Sequence, residues 1–455
     1  MSAIAGIRFR PLDIDLTRAL PRSETTVAVT LLAAISLAPG LLPRSAPLQA
    51  VLTGVLVTFG VACAGVAGRF LGARRKPGPA RAAVAALGAI GIGWSVVAAD
   101  RWQDGLRSAM DMPPVGPAYW LEVVAGASLI VAVLYGCSVA VAWFVRRLGP
   151  LRCAAVLVVA GLAAWFVAIP AVVDSRQAAY RTSSALLDSA VVQPLSSNRS
   201  GSPRSFAAWE TLGAEGRKFV ASGSDVASVR VYAGIDSAPD LNSRVALAIR
   251  ELERSGGLLR SNVVVAIPTG SGWIDSNAVT GFERRFADDV AVVGVQYSYA
   301  PSWATFLFGR AESEAAAQAL YTAVAARIAA IPADQRPKLY IYGQSLGSVG
   351  GAAALHARAG ETCGALWAGP PAGSVDTTGA TVLANSSDPV VRWSPSLLFE
   401  PPALDHVRVD APAPQWLPVV SFVQTTVDLL GALDAPAGHG HRYGTDQGTA
   451  LTGCA

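Results

Sequence analysis

Two patterns of apolar and polar residues divide this chain near residue 174. Before it, apolar runs recur at about 25–43, 47–70, 82–99, 119–145 and 151–173. Each is near the roughly 20 residues that an α-helix needs to cross the hydrocarbon core of a bilayer. The first run is interrupted by Pro39-Gly40, and the third is short and rich in glycine. From about residue 205 the runs shorten and alternate with amphipathic stretches. Val229–Tyr232, Val263–Ile267, Val290–Tyr297, Leu339–Tyr342, Ala365–Ala368 and Thr381–Ala384 read as buried strands. Asn242–Arg254, Glu312–Ala330 and Ser421–Leu433 have helical periodicity, the second stopped by Pro332. Strands alternating with helices imply a mainly parallel sheet covered on both faces. The expected organisation is a tail (1–24), an α-helical transmembrane bundle of about five spans (25–173), a tether (174–204) and an α/β domain (205–455).

Composition sharpens the division. Of 455 residues, 52% are hydrophobic, and the mean hydropathy of +0.41 is high for a water-soluble chain. The excess lies in the first 175 positions. The net charge of +4 is carried almost wholly by arginine, since Lys76, Lys218 and Lys338 are the only lysines. No basic run interleaved with aromatics marks the second half, so nucleic-acid binding is not expected. The apolar first run starts late and others follow it, which argues against a cleaved signal peptide.

Loop charges predict the orientation. Arg8, Arg10, Arg18 and Arg22 precede the first span. Arg69, Arg74, Arg75, Lys76 and Arg81 follow the second, and Arg146, Arg147 and Arg152 follow the fourth. The alternate loops hold Arg44, and then Arg101 and Arg107 offset by Asp100, Asp104 and Asp111. This places the N-terminus in the cytoplasm and everything after Val173 outside. Glu122, the one acid within a span, lies near an end and reaches the interface. The bundle is read as an anchor in the lipid bilayer.

Candidate chemistry centres on Gly343-Gln344-Ser345-Leu346-Gly347, a G-x-S-x-G pentapeptide between a strand and a run of small residues. This is the strand–turn–helix setting of a nucleophile elbow, where a Cβ at either glycine collides with a neighbouring element. The Leu346 N–H is one expected donor to an acyl oxygen. A serine nucleophile needs a base, and the base an orienting acid. Of four histidines, His356 falls on the helix leaving the elbow and His406 at a strand entry. His439 and His441 share a Gly-rich loop, Gly438–Gly444, after the last long helix. The acid is expected at Asp388, in the loop leaving Thr381–Ala384, with Pro389 fixing the turn; Asp376, Asp405 and Asp410 compete less well.

The loop Pro268–Trp273, after the second strand, supplies the expected second oxyanion donor at Thr269 or Gly270. Trp273, Tyr299, Trp303 and Gln344 are expected to line the substrate cleft. His439-Gly440-His441 also has the form of a metal pair, but no third histidine is near, and neither metal nor cofactor is expected. Cys63, Cys137 and Cys153 fall in apolar runs and read as small hydrophobes. Cys363 and Cys454 fall in the outside domain, where a bridge between them would close a loop of about 90 residues.

With these motifs in view, the chain resembles the actinobacterial membrane-anchored α/β-hydrolase family. The likeness rests on Ser36–Arg44, Pro268–Trp273, Gln296–Tyr299 with Pro301–Trp303, and Gly343–Ser348. It continues through Ala365–Pro371, Ser387–Val391 and Gly438–Tyr443. The resemblance implies an α/β-hydrolase-type catalytic domain with Ser345 as nucleophile, Asp388 as acid and one of the two loop histidines as base. The family pattern favours His441, with His439 as the alternative. Only about nine residues separate Pro371 from Thr381, so a lid at that point is not expected. The implied function is a membrane-anchored serine hydrolase acting on carboxylic esters or thioesters, with envelope lipids or acylated glycans as the substrates that anchoring suggests. An acyltransferase using the same triad is an alternative. A degenerate hydrolase domain serving as a membrane-bound binding or assembly module is another, against which the intact serine, aspartate and histidine argue.

Overall fold

The computed structural model describes residues 20–70, 79–223, 228–357, 362–403 and 407–454. The chain forms two compact units: Met1–Pro39 with Pro43–Gly149, and Gly40–Leu42 with Pro150–Ala455.

The first unit is helical: α1 (Ser23–Ser36), α2 (Ala46–Phe70), α3 (Pro79–Ala109) and α4 (Pro117–Leu148). Helix α2 packs on α1 and α4, and α3 packs on α1. Small residues bring these backbones together. A Cβ added to Gly126 would lie 2.8 Å from Ala50, and one added to Gly88 would lie 2.7 Å from Thr30. Close approach through glycine is how apolar helices associate where no water drives them together. The second unit opens with α5 (Pro150–Ala185). Helices α2 to α5 are each long and apolar enough to cross a membrane, and α1 is a shorter apolar helix ending just before Pro39-Gly40.

Helix α5 does not stop at Val173. It continues to Ala185 through Ser175–Ala185, a polar segment whose alanine, glutamine and arginine favour helix. The expected tether is therefore partly helical, and its later part joins the sheet. Ser200 N–H donates to Arg230 O at 3.0 Å and Arg230 N–H to Asn198 O at 3.1 Å.

The sheet has seven parallel strands: β1 (Val229–Ala233), β2 (Asn262–Ile267), β3 (Val290–Val295), β4 (Lys338–Gln344), β5 (Gly364–Ala368), β6 (Thr381–Asn385) and β7 (Val407–Arg408). Their spatial order is β1-β3-β2-β4-β5-β6-β7. Strands β2 and β3 are buried along their whole length, as their continuous valine runs require. The helices of this unit after α5 are α6 (Gly213–Ala221), α7 (Leu241–Arg254), α8 (Ser276–Phe286), α9 (Ser302–Phe308), α10 (Arg310–Ala329), α11 (Leu346–Ala357), α12 (Val420–Asp428) and α13 (Asp446–Thr449). Asp275 caps α8, its Oδ1 accepting from Asn277 N–H at 2.9 Å. Between β5 and β6 the connection 369–380 carries no helix. The loops leaving β2, β4, β5 and β6 all emerge at the carboxyl edge, where open parallel sheets bind ligands.

Candidate active site

Ser345 sits between β4 and α11 with φ at 52°, a left-handed conformation that costs energy for any residue with a Cβ. The flanking glycines permit it. A Cβ on Gly343 would collide with Gly347 O, and one on Gly347 with Ile267 O at the end of β2. Ser345 N–H donates to Ala368 O at 2.9 Å, tying the elbow to the end of β5. Leu346 opens α11, so its N–H belongs to a first turn without intrahelical acceptors.

Asp388 follows β6 and is fully buried. Its Oδ2 lies 2.7 Å from His441 Nδ1 and accepts from Tyr443 O–H at 2.6 Å. Its Oδ1 accepts from Val390 N–H at 2.8 Å. A carboxylate acceptor at Nδ1 holds the imidazole proton there and leaves Nε2 with a lone pair. Burial, reinforced by the charge of Asp388, pushes the Tyr443 phenol well above its ordinary pKa, so it stays a donor. His441 and Ser345 line one cavity of about 1140 Å³.

His439 lies elsewhere. Its Nδ1 is 3.2 Å from Asp410 Oδ2, and it is not among the residues lining that cavity. Asp410 Oδ1 accepts from Ser386 Oγ and from Ser387 N–H, each at 3.0 Å. Ser387 Oγ donates to Asp410 Oδ2 and accepts from Gly440 N–H at 2.8 Å. Asn385 Nδ2 also donates to Gly440 O at 2.8 Å. The acid loop and the histidine loop are thus clamped together, and the two histidines face different carboxylates. Among the described residues no three His, Cys, Asp or Glu side chains gather as a metal site. His356 is exposed, 3.4 Å from Asp376. Asp405 and His406 lie outside the described residues.

Two expectations about the rim need correction. The Thr269 amide donates to Trp273 O at 3.0 Å, closing a tight turn, so it is engaged inside its own loop and is not an oxyanion donor. Of that loop, Thr269, Ser271 and Trp273 line the cavity, and Gly270 does not. Gln344 does not line the cavity either. As the last residue of β4 it is buried, its Nε2 donating to His441 O at 3.4 Å. Trp273, Tyr299 and Trp303 do line the cavity. Burial and the Asp236 carboxylate, 2.6 Å from its hydroxyl, push the Tyr299 phenol up to about 12.

Sequence reasoning missed Tyr443, the clamp at Asp410, and a buried chain behind the elbow. In that chain Tyr342 O–H donates to Gln447 Oε1 at 2.6 Å, and Gln447 Nε2 to Asp275 Oδ2 at 2.7 Å. Burial raises the Asp275 carboxyl above its ordinary value. A Tyr two residues past the candidate base was the available signal for Tyr443; the others join residues far apart in the chain. Cys363 and Cys454 are disulfide-bonded with Cα atoms 4.3 Å apart, which fastens the C-terminal tail to the start of β5.

No curated protein and no solved structure is significantly similar to this chain. A family model described as Alpha/beta-hydrolase family matches residues 229–382 and 377–453. A second, described as Alpha/beta-hydrolase family N-terminus, matches residues 37–224. Together they account for the sheet domain with its elbow and for helices α2 to α5 ahead of it, and the chain belongs to this alpha/beta-hydrolase family.

Proposed function

We propose that this protein is a serine hydrolase that cleaves carboxylic esters or thioesters through an acyl-enzyme. The observation that carries the reading is the convergence of Ser345, on its left-handed elbow, with His441 in one cavity, His441 being held at 2.7 Å by buried Asp388. His441 Nε2 takes the Ser345 proton as Oγ bonds to the acyl carbon. The ester C–O bond (or thioester C–S bond) then breaks, and the same proton passes to the leaving oxygen or sulfur. Water, deprotonated by His441, attacks the acyl carbon; the carboxylic acid leaves and Ser345 regains its proton. Asp388 orients the imidazole and stabilises the imidazolium. The Leu346 N–H, with the Thr269 hydroxyl, receives the oxyanion.

Anchoring by the apolar helices with the catalytic domain outside the cytoplasm completes the proposal. Its support is the arginine bias of alternate loops together with the Cys363–Cys454 bridge, a bond that oxidising compartments maintain. The test is hydrolysis of p-nitrophenyl butyrate by the purified full chain. Wild-type turnover that vanishes in Ser345→Ala supports the reading, and equal turnover by the two refutes it.

A further inference from the structure

We propose that the cavity receives the acyl chain of a lipid ester drawn from the bilayer that anchors the protein; the inference rests on Ser345 acting as nucleophile. Size is the first observation. About 1140 Å³ exceeds the roughly 300–1,000 Å³ usual for small-molecule sites. Its wall includes Trp273, Phe306, Trp393 and Leu429, an apolar lining that suits a hydrocarbon chain. An extended hydrocarbon chain removes that surface from water.

The mouth is the second observation. Trp303, Leu307 and Leu433 line the cavity and yet remain 63%, 63% and 62% exposed. Phe308, next to Leu307, and Leu430, three residues before Leu433, are 85% and 75% exposed. Large apolar side chains standing in water around one opening mark an interaction site. Lipid is the occupant that suits them, because of a third observation. Tyr180, Ser183 and Ser184, near the C-terminal end of α5, form part of the same cavity wall. The apolar run of α5 closes at Val173, and Tyr180 follows seven residues later, about 10 Å along a helix axis. The polar layer of a bilayer is roughly 5–8 Å thick on each side. The wall of the cavity therefore begins just beyond the lipid headgroups, with an apolar rim beside it.

The test uses the full chain reconstituted in phosphatidylcholine vesicles, with p-nitrophenyl butyrate and p-nitrophenyl laurate as probes. Each methylene taken out of water is worth up to about fourfold, so kcat/KM referred to total substrate should rise at least ~10²-fold from butyrate to laurate as the longer chain enters the vesicle and then the cavity. Laurate dissolved in the protein's own vesicles should turn over at least ~10 times faster than laurate supplied in separate vesicles, since entry is from the adjoining leaflet. Leu307→Glu and Leu433→Glu, both at exposed positions, should lower the laurate-to-butyrate ratio at least ~10-fold by placing a charge at the lipid-facing rim. A flat or falling chain-length profile, or equal rates from own and separate vesicles, overturns the inference if a fluorophosphonate still labels Ser345. Loss of labelling in the wild-type protein instead overturns the nucleophile reading, and the inference with it.

Discussion

Asp388→Asn separates the chemical from the structural work of the buried acid. The carboxylate has three partners: His441 Nδ1 at 2.7 Å and Tyr443 O–H at 2.6 Å on Oδ2, and Val390 N–H at 2.8 Å on Oδ1. An amide cannot serve all three as acceptor. With its oxygen toward His441 and Tyr443, its NH₂ confronts the Val390 N–H and leaves buried donors unpaired, at about 1–3 kcal/mol. With the amide turned over, the oxygen serves Val390 and the NH₂ donates to Nδ1. The imidazole proton must then sit on Nε2, the tautomer that cannot accept from Ser345. The second arrangement keeps the bonds to His441 and Val390, costs the Tyr443 hydroxyl its acceptor, and loses the base. The expected outcome is a fall of ~10⁴ in kcat, about 5 kcal/mol of barrier, with at most about 3 kcal/mol lost in stability. Turnover of p-nitrophenyl butyrate beside thermal unfolding of the same preparation measures both. Activity within tenfold of wild type, in a folded protein, would refute Asp388 as the orienting acid.

The two loop histidines should differ sharply. His441→Ala is expected to lose at least ~10³-fold in kcat and His439→Ala much less, the latter touching only the Asp410 clamp; steady-state kinetics showing the reverse order would exchange their roles. Cys454→Ser opens a loop whose ends are 91 residues apart, and should lower stability by roughly 4–5 kcal/mol on the chain-entropy model, less any change in the native state. Unfolding in denaturant with an unmoved midpoint would contradict that. Glu251 gives an acid dependence. Burial alone would raise its pKa, but hydrogen bonds from Arg254, the Phe206 N–H and Ser205 outweigh burial and hold it below the ordinary glutamate value. Its contribution is present above that ordinary value and is lost as pH falls through the depressed one. Glu251→Gln should therefore flatten the acid limb of a stability–pH curve, and an unchanged limb would show that other groups set it.

What the sequence revealed, and what it hid, follows from the range of each interaction. Buried parallel strands read as continuous apolar runs, so β2 and β3 were visible from their valines alone. The elbow was legible because its requirements are local: two glycines, a strand before and small residues after. Helix α8 is short, and its core face is only Ala278, Val279, Gly281 and Phe282, although these recur at helical spacing. The junction of Asn198–Ser200 with β1 joins backbone groups with two short polar side chains, Ser200 Oγ accepting from Tyr232 N–H at 3.1 Å and Asn198 Nδ2 donating to Ser228 O at 3.2 Å, which leave no apolar pattern. The Thr269 amide looked like an oxyanion donor because composition gives no direction to an N–H. Only the folded loop shows that Trp273 O accepts it. Tyr443 and Asp410 meet their partners across 55 and 29 positions, distances at which neither spacing nor periodicity carries information.

The central claim is that Ser345 is a nucleophile activated by His441. Its most direct measurement is peptide mass spectrometry of the full chain after reaction with a fluorophosphonate, which bonds covalently to an activated serine. The account predicts one adduct, on the peptide carrying Ser345, strongly slowed in His441→Ala and absent from Ser345→Ala. An unmodified chain, or an adduct on a different residue that persists in Ser345→Ala, would contradict it.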